Sequence, residues 1–361
     1  MQSTERREPI AASLLRFRSH GFVDLAGAPE TFRQLRAKAA SYAEVTDTRQ
    51  GARFDLGYAA VDCGVTATRL TIALSATDAG TVGALQAMLA EQLGEWHADT
   101  TIDLHWTLQG GKPVRAYRRM TVLRVADLTP HMRRLWLAGE ALEPFAENGL
   151  HVSLFFPGDT PWREPSVEET GRLHWPDGQE PPPRRAYTLR HVNLAEGCVI
   201  IDMLLHPTDG AVAPGAHFAR TARPGDRVGM AGPGGGTLPP SRWLLLAGDE
   251  TALPAIARML ETLPPDVTVT VRLEADGAED ELPLTSAATM DLLWLHRHGR
   301  SAATSTLLLD ALRRIEYPAA GTDRFVWFAA EAGIARAAKD WLRNDAGFSP
   351  EELITANFWR V

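Results

Sequence analysis

The feature that most restricts this chain is the alternation that begins at Arg242. Apolar, β-branched runs at 242–247, 267–275, 290–296, 324–329 and 353–360 are spaced by amphipathic stretches at 252–263, 304–315 and 332–345. Strands and helices in that succession predict a mostly parallel sheet covered by helices. The first connection is short: Gly248-Asp249-Glu250-Thr251-Ala252-Leu253-Pro254. Proline has no N–H and is accepted only in a helix's first turn, so Pro254 places the N-cap near Thr251. A strand, a tight turn and a helix N-terminus make an anion site, because free amides and the helix dipole both favour negative charge there. The same residues fit an ordinary βα turn with a capped helix. Asp249 and Glu250 would repel a phosphate placed beside them.

Upstream the pattern differs. Strand-like segments at 117–125, 132–137, 151–156, 185–192 and 199–206 are joined by Pro- and Gly-rich connections, which predicts a small antiparallel barrel. The barrel's long insertion, 158–183, with Pro157 just before it, is rich in proline and reads as irregular surface chain. Within the barrel, Arg185-Ala186-Tyr187-Thr188-Leu189-Arg190 puts two guanidinium groups, a phenol and a hydroxyl on one strand. Alternation sets Arg185, Tyr187 and Leu189 on one face and Ala186, Thr188 and Arg190 on the other. Such a strand can present Tyr187 to a flat ring while an arginine pairs with a pyrophosphate. It fits an edge strand with solvated arginines equally well.

Residues 1–110 read as a small mixed domain. A helix over 28–43 begins at Pro29, with Phe32, Leu35, Ala39 and Tyr42 at helical spacing, and a second over 79–93 sets Val82, Leu85, Met88, Leu89 and Leu93 on one side. Short strands at 52–56, 58–63, 64–67 and 70–75 lie between them, and Gly110-Gly111-Lys112-Pro113 reads as a linker. The chain's 361 residues fit two or three domains. A net charge of −8 disfavours nucleic acid as a partner and obliges an anionic substrate to find a local basic pocket. Two cysteines, Cys63 and Cys198, set no disulfide framework, which fits a reducing cytoplasm. No apolar run is long enough for a membrane span, and the first residues do not resemble a secretory signal. His296 and His298 share a strand face and read as ordinary strand residues rather than metal ligands.

Several ordered motifs together resemble one family. Arg185-x-Tyr-Thr-x-Arg190, the later His206 with Pro214-Gly215-Ala216-His217-Phe218-Ala219, Gly232-Pro233-Gly234-Gly235 and the 248–256 turn are similar to successive signatures of the siderophore-interacting proteins. Trp294-Leu295-His296-Arg297, the 325–331 run ending in Glu331, Arg336 and Asn357-Phe358-Trp359-Arg360 agree. The resemblance covers about 113–361. The first hundred residues look like a small domain of unknown role that sometimes precedes this family. The family usually carries glycine where Ala330 stands, tryptophan at Phe218, an arginine near Lys339 and tyrosine at Phe358.

The resemblance implies a multidomain, ferredoxin-reductase-like chain. Its parts would be a small α+β domain (1–110), an antiparallel β-barrel flavin domain (113–239) and an α/β nicotinamide-nucleotide domain (240–361). FAD would lie against Arg185, Tyr187, Thr188 and Arg190, with His206, Ala216 and Phe218 lining the same groove. Gly248, Asp249, Thr251, Ala252 and Glu331 would surround NADPH or NADH, with the acidic side chains facing ribose or nicotinamide. The implied reaction is FAD-mediated reduction of a ferric siderophore, with release of iron as iron(II), and it needs no protein nucleophile. Arg297, Arg336, Lys339 and Arg360 are the candidates for docking an anionic ferric siderophore. Two other readings stay open: a general flavin reductase or diaphorase whose acceptor is a protein such as ferredoxin, and a non-enzymatic siderophore-binding module.

Overall fold

Period-two patterning builds the N-terminal domain. The computed structural model describes residues 15, 17–40, 43–56, 59–76, 79–97, 102, 104–108, 117–147, 149–157, 164–167, 173–176, 181–205, 213–235 and 238–360. Strands β1 (Phe17–Asp24), β2 (Glu44–Thr48), β3 (Gly51–Asp55), β4 (Ala59–Val65), β5 (Arg69–Ala76) and β6 (His105–Leu108) make one sheet, ordered β2-β3-β4-β5-β1-β6. Alternate residues (Ala52 and Phe54; Ala59, Val61 and Cys63; Leu70, Ile72 and Leu74) share a core with helices α1 (Ala28–Ala39) and α2 (Ala79–Trp96), so both helices cover one face. Helix α1 starts where Gly27 adopts a left-handed φ of 95° and Pro29 presets the first turn. It ends at Ala39, earlier than expected. Tyr42 and the linker Gly110–Pro113 lie outside the described residues. On α2, Val82, Leu85, Leu89 and Leu93 are buried but Met88 is exposed, so the apolar stripe is narrower than the sequence implied. Both cysteines are buried and free, and burial, reinforced by Asp62, pushes the Cys63 thiol up to about 12.

The second sheet is antiparallel: β7 (Arg118–Thr129), β8 (Met132–Ala138), β9 (His151–Phe155), β12 (Arg184–Thr188), β13 (His191–Asn193), β14 (Cys198–Leu204) and β15 (Arg227–Gly234), in the order β12-β9-β15-β7-β8-β14-β13. A two-stranded pair, β10 (Ser166–Val167) with β11 (Leu173–His174), forms inside the proline-rich insertion, which is therefore not wholly irregular. The two edge strands of the seven-stranded sheet, β12 and β13, are joined by Leu189 and Arg190 alone. Their nearest ends can thus lie at most about 11 Å apart, and a seven-stranded sheet meets that limit only by curling into a barrel. The two joining residues extend the ladders on either side: the Leu189 amide donates to Leu150 O, just before β9, and the Arg190 amide donates to Ile200 O of β14. Helices α3 (Glu143–Glu147) and α4 (Pro214–Thr221) belong to this part of the chain, and α4 closes one end of the core with Phe218 and Ala219. Arg133 from β8 donates to the carbonyls of Ala219 and Arg220, the last turn of α4, where a cation complements the helix dipole.

The C-terminal alternation folds as the expected parallel sheet: β16 (Trp243–Gly248), β17 (Thr268–Ala275), β18 (Thr289–His296), β19 (Arg324–Glu331) and β20 (Leu353–Trp359), ordered β18-β17-β16-β19-β20. Its two faces form separate cores. Leu244, Leu246, Val271, Phe325 and Trp327 pack with helix α5 (Leu253–Leu260). Leu245, Ala247, Val326, Phe328 and Ala330 pack with α6 (Leu307–Leu312) and α7 (Ala332–Asn344). Strands buried on both faces explain why the sequence shows apolar runs here instead of alternation. Among the described residues no helix is long and apolar enough to cross a membrane.

By contacts among described residues the chain forms two compact units. The first holds the N-terminal domain with segments 162–181 and 231–236; the second holds most of the barrel together with the whole parallel sheet. Within that second unit, Met132 of β8 is buried in the α5 core. Beside it the His131 amide and Nδ1 contact the two oxygens of Asp280, in the turn Ala278–Asp280 after β17. The hydrogen bond to Asp280 raises the His131 pKa above 6.5, against partial burial, and the charges of Asp280, Asp276 and Glu250 add to the rise. A histidine whose folded pKa lies above its unfolded value stabilises fully below about pH 6.5 and loses that contribution as pH climbs through the folded value. Stability measured by denaturant titration is expected to decline gently over that range, and Asp280→Asn is expected to flatten the decline. The slope is shallow because His131 is 37% exposed and solvent screens the pair.

Candidate functional site

Chain order in the parallel sheet places a crevice. The chain starts at β16, moves outward to β18 and returns to β19 beside β16, so connections leave the carboxyl ends of β16 and β19 in opposite directions. Ligands in open α/β sheets bind at such switch points. Gly248 ends β16 and Glu331 ends β19. Gly248 has no room for a side chain: a Cβ would stand 2.2 Å from Ala329 O and 2.5 Å from the Ala252 methyl.

The turn after Gly248 differs from the sequence reading in one respect. Helix α5 begins at Leu253 with Ala252, not Thr251, at the N-cap and Pro254 in the first turn. Thr251 points the other way. Its amide donates to Asp249 Oδ1 at 3.0 Å and its hydroxyl donates to the same oxygen. Asp249 Oδ2 accepts from the Trp359 indole at 2.8 Å. Burial pushes the Asp249 carboxyl above the usual range, against the hydrogen bonds from Thr251 and Trp359 that favour its charged form. Asp249 is therefore committed inside the protein and does not offer a free carboxylate to a ribose or nicotinamide. Glu331 is likewise committed, as the N-cap of α7, accepting from the amides of Gly333 and Ile334.

Trp359 reaches Asp249 through a register shift. Ala330 pairs with Asn357, but Glu331 pairs with Trp359, so β20 carries one extra residue at this point. Such a bulge re-aims the side chain beside it. Phe358, the skipped residue, turns its ring edge-on to Trp327 at 5.9 Å.

Arg297 was expected to dock substrate, and the structure corrects this. Its guanidinium is buried and donates to both oxygens of Glu250 and, at 3.3 Å, to Glu274 Oε1. Ser305 donates to the other Glu274 oxygen. Burial raises the Glu274 carboxyl, with Ser305 and Arg297 opposing. Burial also works against the Arg297 charge, but the Glu250 hydrogen bond and both carboxylates outweigh it. A lone carboxylate in the apolar strand 267–275 was the available signal that a buried cation had to meet it. The proposed docking quartet also fails as one patch. Arg297 follows β18 and Arg360 follows β20, opposite edges of the five-stranded sheet and about 19 Å apart across its four strand spacings. Arg336 on α7 and Arg360 are exposed, and Lys339 is half-buried.

On the barrel side, Tyr187 and Leu189, which alternation set on one face, both point into the core. The Tyr187 ring meets Phe156 edge-on at 6.1 Å, and Phe156 in turn meets Phe218 at 5.4 Å. Ala216 and Phe218 are buried, so Phe218 backs this aromatic cluster and does not line an open groove. Burial pushes the Tyr187 phenol up to about 12, so it stays protonated. Its hydroxyl lies against Gly215, where a Cβ would stand only 2.0 Å away. Gly215 belongs to the first turn of α4, which has no side-chain cap, so the amides of that turn have no partner in the helix. Among the described residues, Tyr187 and the buried Thr188 have no hydrogen-bond partner for their hydroxyls, and the exposed Arg185 donates only to Arg184 O. Arg190 is instead paired with Glu261 at the C-cap of α5. His206 lies outside the described residues. An aromatic wall, two uncommitted hydroxyls, a free guanidinium and an open helix N-terminus suit a flat ring joined to a pyrophosphate.

Comparison with known proteins agrees. Residues 121–237 match the siderophore-interacting FAD-binding domain, and 241–361 match the siderophore-interacting protein family. An NADPH-dependent ferric-chelate reductase of Escherichia coli is 32% identical over 68% of this chain and 93% of its own. A siderophore utilization protein from T. fusca, of known structure, is 31% identical, covers 70% of this chain and 95% of its own, and superimposes with a TM-score of 0.60. The chain belongs to the siderophore-interacting protein family. In fold alone it is also like a ferredoxin-NADP+ reductase from Plasmodium falciparum, at 12% identity and a TM-score of 0.50 over 67% of this chain and 95% of that one. Barrel and parallel sheet are thus ferredoxin-reductase-like, and the N-terminal domain precedes both family matches.

Two outcomes are expected. Gly215→Ala must displace the Tyr187 hydroxyl or shift α4, and flavin retained on purification should fall at least about tenfold while the far-ultraviolet circular dichroism is kept. Arg297→Met leaves Glu250 and Glu274 buried without their cation and is expected to cost about 3–5 kcal/mol in denaturant unfolding, whereas Arg336→Met on the exposed face of α7 should stay within about 0.5 kcal/mol.

Proposed function

We propose that the protein is a cytoplasmic, FAD-dependent oxidoreductase that uses NADPH or NADH to reduce ferric siderophores. The observation that carries this reading is the set of uncommitted groups around Tyr187 and Gly215, standing in a domain that matches the siderophore-interacting FAD-binding type. The printed name of the Escherichia coli relative supports a ferric chelate as substrate and NADPH as reductant. In this reading residues 113–239 hold FAD and 240–361 hold the nicotinamide nucleotide, and 1–110 is a small α+β domain to which the reading assigns no role.

Each side chain then has a task. Tyr187 and Thr188 flank the flavin ring, with Phe156 and Phe218 fixing the Tyr187 plane from behind. The first-turn amides of α4, at Gly215 and Ala216, and the exposed Arg185 take the pyrophosphate. Gly248 keeps the crevice floor flat enough for a nucleotide, and Thr251 and Ala252 form its wall. Asp249 and Glu331 shape the crevice through their caps and turns without touching phosphate. Bound FAD would supply the exchange between a two-electron nucleotide and a one-electron metal. Iron(III) in an oxygen cage is held far more tightly than iron(II), so reduction releases it. With a net charge of −8, the protein must attract an anionic ferric siderophore locally, and of the candidate quartet Arg336 and Arg360 are the exposed cations.

The test combines flavin content with anaerobic kinetics. The purified protein is expected to be yellow, to bleach with NADPH, and to recover colour when a ferric siderophore is added, with iron(II) trapped by a chromogenic chelator. NADH run in parallel fixes the nucleotide preference. Reoxidation by ferredoxin but not by any ferric chelate would move the protein to the diaphorase reading. A chain that takes up no FAD yet binds ferric siderophore would be a carrier.

A further inference from the structure

We propose that Arg190 is a strut that fixes the spacing between the two nucleotide sites, and not a ligand of FAD. This rests on the reading of the barrel and the parallel sheet as the two halves of one redox centre. The resemblance gave Arg190 to the flavin, but its guanidinium is already engaged. Nη1 donates to Glu261 Oε2 at 2.7 Å and Nη2 donates to Oε1, a bidentate pair that uses its fork. Nε lies 4.0 Å from Asp202, which is buried and held by a second bidentate pair from Arg134. Four charges thus run in alternation from β8 through β14 to the end of α5.

The placement of Glu261 argues that this link has a purpose beyond helix stability. A carboxylate at a helix C-cap is disfavoured by the dipole, so α5 gains nothing from it without Arg190. The hydrogen bond from Arg190 holds the Glu261 carboxyl below the usual glutamate range. One turn earlier, Arg258 donates to Leu189 O at 2.7 Å, so the same two-residue segment is gripped twice.

The lever follows from helix length. Helix α5 has eight residues and is about 12 Å long. Its N-terminal end carries the turn at Gly248, and its C-terminal end is fixed to a segment three residues from Tyr187. With Arg258 on Leu189 O, the Glu261–Arg190 pair is therefore the link nearest Tyr187 that bears on the distance between the flavin ring and the crevice at Gly248.

The test separates affinity from rate. Glu261→Gln is expected to leave the FAD dissociation constant within about twofold and to slow NADPH-driven bleaching of the flavin-saturated protein about tenfold. The paired exchange Arg190→Glu with Glu261→Arg should recover most of that rate. If Arg190 were a flavin ligand, Glu261→Gln would free it and tighten FAD, and Arg190→Gln would weaken FAD at least about tenfold with bleaching at saturation unchanged; either result overturns the proposal. Unfolding of the FAD-free protein supplies a readout independent of turnover. A double-mutant cycle on Arg190 and Glu261 is expected to show coupling, and additive effects would overturn the strut. A wild-type chain that binds no FAD would remove the functional reading instead, while the cycle would still report on the pair.

Discussion

The barrel, the domain contact and the site geometry all depend on the two residues that join β12 to β13. Leu189 and Arg190 have four backbone hydrogen-bonding groups, and three of them are accounted for by the seam and by α5. The amides of Leu189 and Arg190 carry the chain from the β9 ladder to the β14 ladder, donating to Leu150 and Ile200, and the Leu189 carbonyl accepts from Arg258. The Leu189 side chain fills the barrel core while the Arg190 side chain leaves it for Glu261. The same two residues thus serve the barrel edges and the contact with α5, alongside the separate contact of Met132 and His131 with the α5 core and Asp280. A loop of ordinary length at this position would have closed the barrel without linking it to anything.

A second principle sorts the polar groups. Around the crevice nearly every charged side chain has a partner inside the protein: Glu250 and Glu274 on Arg297, Asp249 on Thr251 and Trp359, Glu331 on the amides of α7. Around Tyr187 the opposite holds, with Thr188, Arg185 and the first turn of α4 uncommitted. Buried polar groups require partners, and groups without them in the protein mark where a ligand completes the count. The crevice is accordingly a rigid wall, and the barrel face is where hydrogen bonds are on offer. Glu250 is paired with Arg297, which it shares with Glu274, and Asp249 is turned inward, so neither stands as the free carboxylate that its sequence position implied.

Much of this architecture was legible in the chain. The five parallel strands fell within a few residues of their expected positions because strands buried on both faces leave unbroken apolar runs. Alternation set Tyr187 and Leu189 on one face of the strand, and the structure turns that face into the barrel core. What could not be read was which charges meet. Arg297 is adjacent in sequence to two histidines and a strand end, the usual surroundings of a solvated cation, and only the pairing of β17 with β18 brings it under Glu250 and Glu274. The N-cap moved from Thr251 to Ala252 because Asp249 offered the threonine hydroxyl a nearer acceptor than the helix did. The bulge on β20 has no sequence mark, since Asn357, Phe358 and Trp359 continue an acceptable strand through it.

The departures from the family pattern acquire physical meaning at the same place. Ala330 stands where the family usually carries glycine, which adds a methyl to the strand. The structure buries that methyl completely in the α7 core with Val326 and Phe328, on the far side of the sheet from α5. Alternation then turns the neighbouring positions, Ala329 and Glu331, the other way, and it is the Ala329 carbonyl that forbids a side chain at Gly248. In the proposed function a nucleotide in the crevice would therefore meet backbone and not the extra methyl. Phe358, where tyrosine is usual, sits at the bulge with its ring against Trp327, so the loss of a hydroxyl removes a polar group from an already apolar contact and leaves Trp359 free to hold Asp249. Both residues pack behind the crevice, Ala330 in the α7 core and Phe358 against Trp327.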